Sequence, residues 1–168
     1  METSKERLIR YLQDAHAAET GIQDTLEGFI SDCNDPDILE LYKDHLVQTI
    51  SQARRLEDRL RMLDATPSTG KGFLNSMMAK ASEFLQAAHD DYDRNTQNLI
   101  KAYATEHLER AMYESLYAFA TAIGDTDTAR LAREIQLEEA MTAEKLFPLI
   151  EQYAMGAWAE ARPQAYSS

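Results

Sequence analysis

Over 168 residues the chain is broken in only three places, and the spacing of those breaks limits what it can fold into. "SDCNDP" (31–36) is the first, "DATPSTGKG" (64–72) the second, and Gly124 the third. Between them apolar residues recur at three- and four-residue intervals, the mark of an amphipathic helix turning ~100° per residue. A first helix opens at Thr3 or Ser4, where Glu6 can close a capping box on Thr3, and it runs to about Ile30. Leu8, Leu12, Ala15, Ile22 and Leu26 line one of its faces. A second helix starts at Pro36, a residue the first helical turn accepts, and reaches about Leu63 with Ile38, Leu41, Leu56 and Leu63 on its stripe. A third spans roughly 90–123 and stops at Gly124, a natural residue just past a helix end. A fourth begins near Asp125 or Thr126 and continues to about Tyr153, with a kink expected at Pro148.

Composition agrees with helices alone. The chain holds 6 Gly and 4 Pro, few β-branched runs, and ample Ala, Leu, Glu and Arg. Its 44% hydrophobic and 27% charged residues are those of a globular domain, long enough for one real core. Seventeen Lys and Arg stand against 29 Asp and Glu, a net charge of −12. Such a surface repels nucleic acid and anionic membrane alike, and the one basic stretch, "ARRLEDRLR" (53–61), alternates with acids as a solvated helix face does. Cys33 is the only cysteine, which excludes an intrachain disulfide framework and a thiolate zinc cluster. "METSKERLIRYLQ" lacks the apolar core of a signal peptide and no run is long enough to span a bilayer, so a cytoplasmic location is expected.

Tight links join helices one and two and helices three and four, which makes two antiparallel hairpins. The long link between the hairpins is a crossover in which "FLNSMMAKASEFLQAAH" (73–89) reads as a short extra helix, in one or two pieces. The architecture is therefore all-α, a ferritin-like four-helix bundle of two antiparallel hairpins joined by a long crossover. Residues 1–153 form the bundle, and 154–168, where periodicity fades after Gly156, form a loosely held tail.

Each helix carries a polar residue in the middle of its apolar stripe. They are Glu19 on the first, His45 and, one turn on, Gln48 on the second, and Glu106 and Glu109 on the third. The fourth offers Glu139, surrounded by Ile135, Thr142, Leu146 and Ile150, with Glu138 as the alternative on a more solvated face. All lie near the midpoints of their helices, so at ~1.5 Å rise per residue antiparallel packing brings them into one layer. An unpaired buried carboxylate costs several kcal/mol, and several together repel each other. One or two divalent metals remove both penalties. Taken singly, each inward acid reads as a boundary residue with an ion-pair partner; the shared layer favours a metal-type site. His16, one turn before Glu19, is either a support for that site or a simple interhelical hydrogen-bonding group. Tyr113, one turn after Glu109, either hydrogen-bonds a ligand carboxylate or is a packed core tyrosine. His107 reads as an interface or partly exposed residue, His89 as polar surface, and Met77 and Met78 as packing in the crossover.

"LQDAHAAE" (12–19), "DHLVQT" (44–49), "TEHLERAMYESL" (105–116) and "LEEAMTAEKL" (137–146), in that order, resemble the YciE/YciF-like ferritin-like stress proteins of bacteria, the YciE branch most closely. The resemblance covers about residues 5–150. It implies a ferritin-like bundle, a homodimer, and a di-metal site with Glu19, His45, Glu106, Glu109 and Glu139 (or Glu138) at its ligand positions. The family has glutamate one turn after the histidine of the second helix, where this chain has Gln48. A neutral amide can coordinate but bridges two metals poorly, which leaves one metal, an asymmetric pair or an empty site open.

The expected function is thus a stress-response protein that binds iron or manganese, with zinc also compatible with the ligands. Ferroxidase- or catalase-like handling of oxygen or peroxide follows only if the site is loaded. The rival is a non-catalytic helical scaffold whose metal site has degenerated.

Overall fold

A computed structural model describes residues 2–68 and 87–161. Among these residues the chain forms helices α1 (Ser4–Asp32), α2 (Pro36–Met62), α3 (Asp91–Ala122) and α4 (Thr126–Ala161), and no strand. The crossover helix expected at 73–89, with Met77 and Met78, lies outside the described residues apart from 87–89, which are not helical.

Short polar side chains start each helix. The Thr3 hydroxyl accepts from the Glu6 N–H while Glu6 accepts from Thr3, a complete capping box. Asp35 accepts from the N–H groups of Asp37 and Ile38 at 3.0 and 3.2 Å, with Pro36 in the first turn. Asp90 accepts from Asp93 N–H, and Asp125 from Thr128 N–H. Gly124 reverses the chain between α3 and α4 at φ +78°, a conformation that favours glycine.

α1 and α2 form one antiparallel hairpin, α3 and α4 the other, and the two pack with α1 along α3 and α2 along α4. Arg59 near the end of α2 fastens them, with its guanidinium 2.7 Å from both oxygens of Asp125 and its Nε 2.8 Å from the Thr128 hydroxyl. The apolar core falls into two clusters. One joins Leu8, Leu12, Leu56, Leu60, Leu116 and Ile135 with their neighbours. The other gathers Ile22, Leu26, Ile38, Tyr42, Leu99 and Leu146. Between the clusters, at the middle of all four helices, buried polar side chains take the place of the apolar ones.

α4 differs from its sequence reading. It continues past Tyr153 to Ala161 and runs unbroken through Pro148. Pro148 and Glu144 both lie on the exposed face, so the Glu144 carbonyl that loses its helical donor meets water. Beyond Tyr153 the helix has a surface to follow. Tyr153 packs on Tyr92 of α3 with ring centroids 6.1 Å apart, and Gly156 lies so close to that ring that a Cβ would come within 2.4 Å of it. Of the expected tail, 154–161 is therefore helical, and 162–168 lies outside the described residues. No helix among the described residues is long and apolar enough to cross a membrane.

Candidate metal centre

The polar layer is built by registry. On α2, Ile38, Tyr42, His45, Thr49, Gln52, Leu56 and Leu60 are all buried and recur three or four residues apart. One continuous stripe thus changes from apolar to polar and back. α1 contributes Glu19, α3 contributes Thr105, Glu106 and Glu109, and α4 contributes Glu139 and Thr142, all 5% exposed or less.

His45, Glu106 and Glu139 converge most closely, each offering a donor atom within 4.8 Å of the other two. His45 Nε2 lies 3.4 Å from a Glu106 oxygen and 3.9 Å from a Glu139 oxygen. Neither ring nitrogen of His45 and neither carboxylate oxygen of Glu106 has a hydrogen-bond partner. The second half of the layer holds Glu19 and Glu109. Tyr113 donates its hydroxyl hydrogen to Glu19, leaving the other Glu19 oxygen and Glu109 Oε1 unpartnered. Gln52 closes the layer toward α4. Its amide nitrogen donates to Glu139 inside and, at 3.0 Å, to Glu138 outside, while its own oxygen is left without a donor.

Burial, followed by the charges of their neighbours, pushes Glu19, Glu106 and Glu109 well above the ordinary carboxyl range. Glu139 is raised by burial as well, less freely because Glu106 and Gln52 stabilise its charge. Burial, with Lys145 adding to it, pushes His45 down to about 4, so the imidazole is neutral and keeps a lone pair to donate. Tyr113 is raised by burial and by the carboxylates of Glu19 and Glu109, which fixes it as a donor.

Buried polar groups in native proteins are nearly always hydrogen-bonded. Here the unpartnered acceptors of Glu19, His45, Gln52, Glu106, Glu109 and Glu139 cluster in one layer, and all are oxygen or imidazole donors. That set suits a first-row divalent metal.

The layer therefore brings together Glu19, His45, Glu106, Glu109, Glu139 and Tyr113. Gln48 is half-buried and faces a groove between α2 and α4. Glu138 lines the same groove, paired with Arg55. His16 is half-buried and bonds neither Glu19 nor any other layer residue; its Nδ1 has no partner. His107 is exposed, edge-on to Tyr103, and His89 is exposed as well. Gln52 and Thr49 are the residues the sequence reading passed over. The four–three alternation from Ile38 would have placed both on the inner face.

A four-helix bundle with a central carboxylate and histidine layer is the ferritin-like architecture, and solved structures agree. A Xanthomonas campestris protein superposes with TM-score 0.80 at 27% identity, over 94% of this chain and 98% of its own. The Escherichia coli stress protein YciF superposes at 0.77 with 22% identity, over 92% and 98%. A ferritin-like, diiron-carboxylate protein of Bacillus anthracis superposes at 0.68 with 16% identity, over 89% and 99%. No curated protein is similar to this chain. The profile described as "Domain of unknown function (DUF892)" matches residues 3–157, so the chain belongs to that family, and the YciE/YciF-like resemblance of its four motifs holds.

Proposed function

We propose that this protein binds a divalent transition metal, iron or manganese, in its central layer and serves bacterial stress metabolism by handling iron, oxygen or peroxide. The observation that carries this reading is the buried trio of His45, Glu106 and Glu139, whose donor atoms converge without hydrogen-bond donors to satisfy them. His45 offers a neutral nitrogen, and Glu106 and Glu139 offer charge. Gln52 holds Glu139 toward the trio, and Tyr113 holds Glu19 in the adjoining half of the layer. Glu19, Glu109 and the free oxygen of Gln52 are the donors available to a second ion. The apolar clusters above and below keep water from the layer. When bound, iron or manganese supplies a one-electron redox couple and a Lewis acid. The protein is proposed to work in the cytoplasm as a homodimer, and exposed Leu137, Met141 and Phe147 on α4 give such a dimer an apolar surface to cover.

Gln52 also favours a second reading, a scaffold whose site has degenerated, because its amide already occupies one Glu139 oxygen. Thermal melting separates the two. At about 100 times its dissociation constant, Mn²⁺ contributes about 2.7 kcal/mol and raises the melting temperature of the chelator-stripped protein by roughly 5–10 °C. A melting temperature indifferent to Mn²⁺, Fe²⁺ and Zn²⁺ favours the scaffold.

A further inference from the structure

The layer is buried, so an ion needs a way in, and the described residues offer two openings of unequal kind. Beside His45 and Glu106 a void of about 10 Å³ lies among Ile22, Leu26 and Phe29, with no polar lining exposed. At that size it holds a single water at most. Between α2 and α4 a groove of about 470 Å³ opens to solvent, lined by Asp44, Gln48, Arg55, Glu138, Thr142 and Lys145 among others. Its floor reaches Thr142, which is buried in the layer one turn from Glu139.

Polar side chains lead inward from this groove. Asp44 is exposed at its rim, and Glu138 is half-buried in its wall. Behind Glu138 lies Gln52, whose amide joins it directly to Glu139. Arg55 sits on the outer side of Glu138, its guanidinium on the same carboxylate oxygen that accepts from Gln52. That pair is about one-third exposed on both sides, and Arg55 Nε has no partner. Both side chains reach the open groove, which gives the guanidinium room to swing off Glu138. It rests where a cation entering from the groove would first meet a carboxylate joined to the layer.

We propose that the α2/α4 groove is the route by which a divalent cation reaches the layer, with Glu138 as a transit ligand and Arg55 as a gate. The cation replaces the guanidinium on Glu138, passes Gln52 and comes to rest on Glu139, Glu106 and His45. Arg55 and Glu138 thus govern the rate of uptake, and the layer residues hold the ion at its end. This rests on the reading of the layer as a metal site.

The test is uptake of Co²⁺ by the chelator-stripped full-length protein. Its rate is followed by visible absorption in a stopped-flow instrument, and its equilibrium occupancy by dialysis. Removing a like charge from a cation's path raises its rate of arrival by about tenfold or more. Arg55→Gln is expected to take up Co²⁺ faster by about that factor, Arg55→Lys to stay close to the native rate, and Glu138→Gln to slow uptake to a similar extent. At saturating Co²⁺ the number of ions bound per chain is expected to stay the same in all three. Circular dichroism confirms that each is folded, and Arg55, which lines the open groove, gives two variants outside the apolar core. Native uptake rates in Arg55→Gln and Glu138→Gln, with one or more Co²⁺ bound at equilibrium, overturn the gate while sparing the metal site. Absence of bound Co²⁺ in the native chain overturns both.

Discussion

Glu106→Gln is expected to raise the melting temperature of the metal-free protein while abolishing the rise that metal brings. Glu106 is fully buried, close to Glu139 and His45, and neither of its oxygens has a hydrogen-bond partner. In the metal-free chain it either carries an uncompensated charge or takes up a proton against its ordinary preference. Glutamine has the same shape, needs no proton, and can donate to Glu139. Relieving one such buried group is worth about 1–3 kcal/mol, which is several degrees for a domain of this size. The variant loses one of the two charged ligands of the closest trio, so Mn²⁺ no longer stabilises it. Glu138→Gln is the control. It changes a carboxylate outside the layer, and the metal-induced rise is expected to persist. Melting curves of the three proteins with and without Mn²⁺ check this. A Glu106→Gln variant that is less stable without metal, and still stabilised by it, contradicts the assignment.

The second expectation is that metal reverses the sign of the pH dependence of stability. In the folded, metal-free chain Glu19, Glu106, Glu109 and Glu139 hold their protons to higher pH than in the unfolded chain. Above the ordinary carboxyl range the folded state then binds more protons than the unfolded one, and stability falls as pH rises. His45 acts in the opposite direction. Its folded value of about 4 lies below the unfolded value near 6.5, so it adds stability as pH rises between them. Four carboxyls outweigh one imidazole. Tyr113 titrates above this window. The surface acids Glu2, Glu6, Asp35, Glu114 and Asp125, held below their usual values by hydrogen bonds, lose their contribution only at lower pH. Between pH 5 and pH 8 the metal-free protein is therefore expected to weaken. With saturating Mn²⁺ the ligands are held deprotonated, binding competes with protons, and stability is expected to rise over the same range. Urea midpoints at several pH values measure both slopes, and equal slopes with and without metal contradict the account.

Much of the fold is legible in the sequence because helices of this length repeat their pattern many times. Thr3 with Glu6, Pro36 and Gly124 mark ends that the structure places within two residues of expectation. The inward acids are visible on α1, α3 and α4 because apolar residues flank each of them closely. α2 is harder. Leu41 and Leu63 suggest a stripe rotated by part of a turn, and that rotation brings Gln48 inward in place of Gln52. Gln52 and Thr49 are polar, so a stripe defined by apolar residues alone cannot include them. Their burial is set by partners on α4, which no pattern within α2 reveals. The same holds for the end of α4. Gly156 looks like a stop, yet it is small because the Tyr92 ring lies against it, a contact across 64 positions in sequence. Arg55 reads as one basic residue of a solvated face, and only the pairing of α2 with α4 sets it on Glu138.

The central claim is that the polar layer is a metal site, and metal content tests it most directly. The chelator-stripped protein is loaded anaerobically with Fe²⁺ and freed of excess ion. The metal remaining is then counted per chain, alongside a variant carrying both Glu106→Gln and Glu139→Gln. The account predicts at least one iron per native chain and none above background in the double variant. No iron retained by the native chain, or the same amount retained by both, contradicts it.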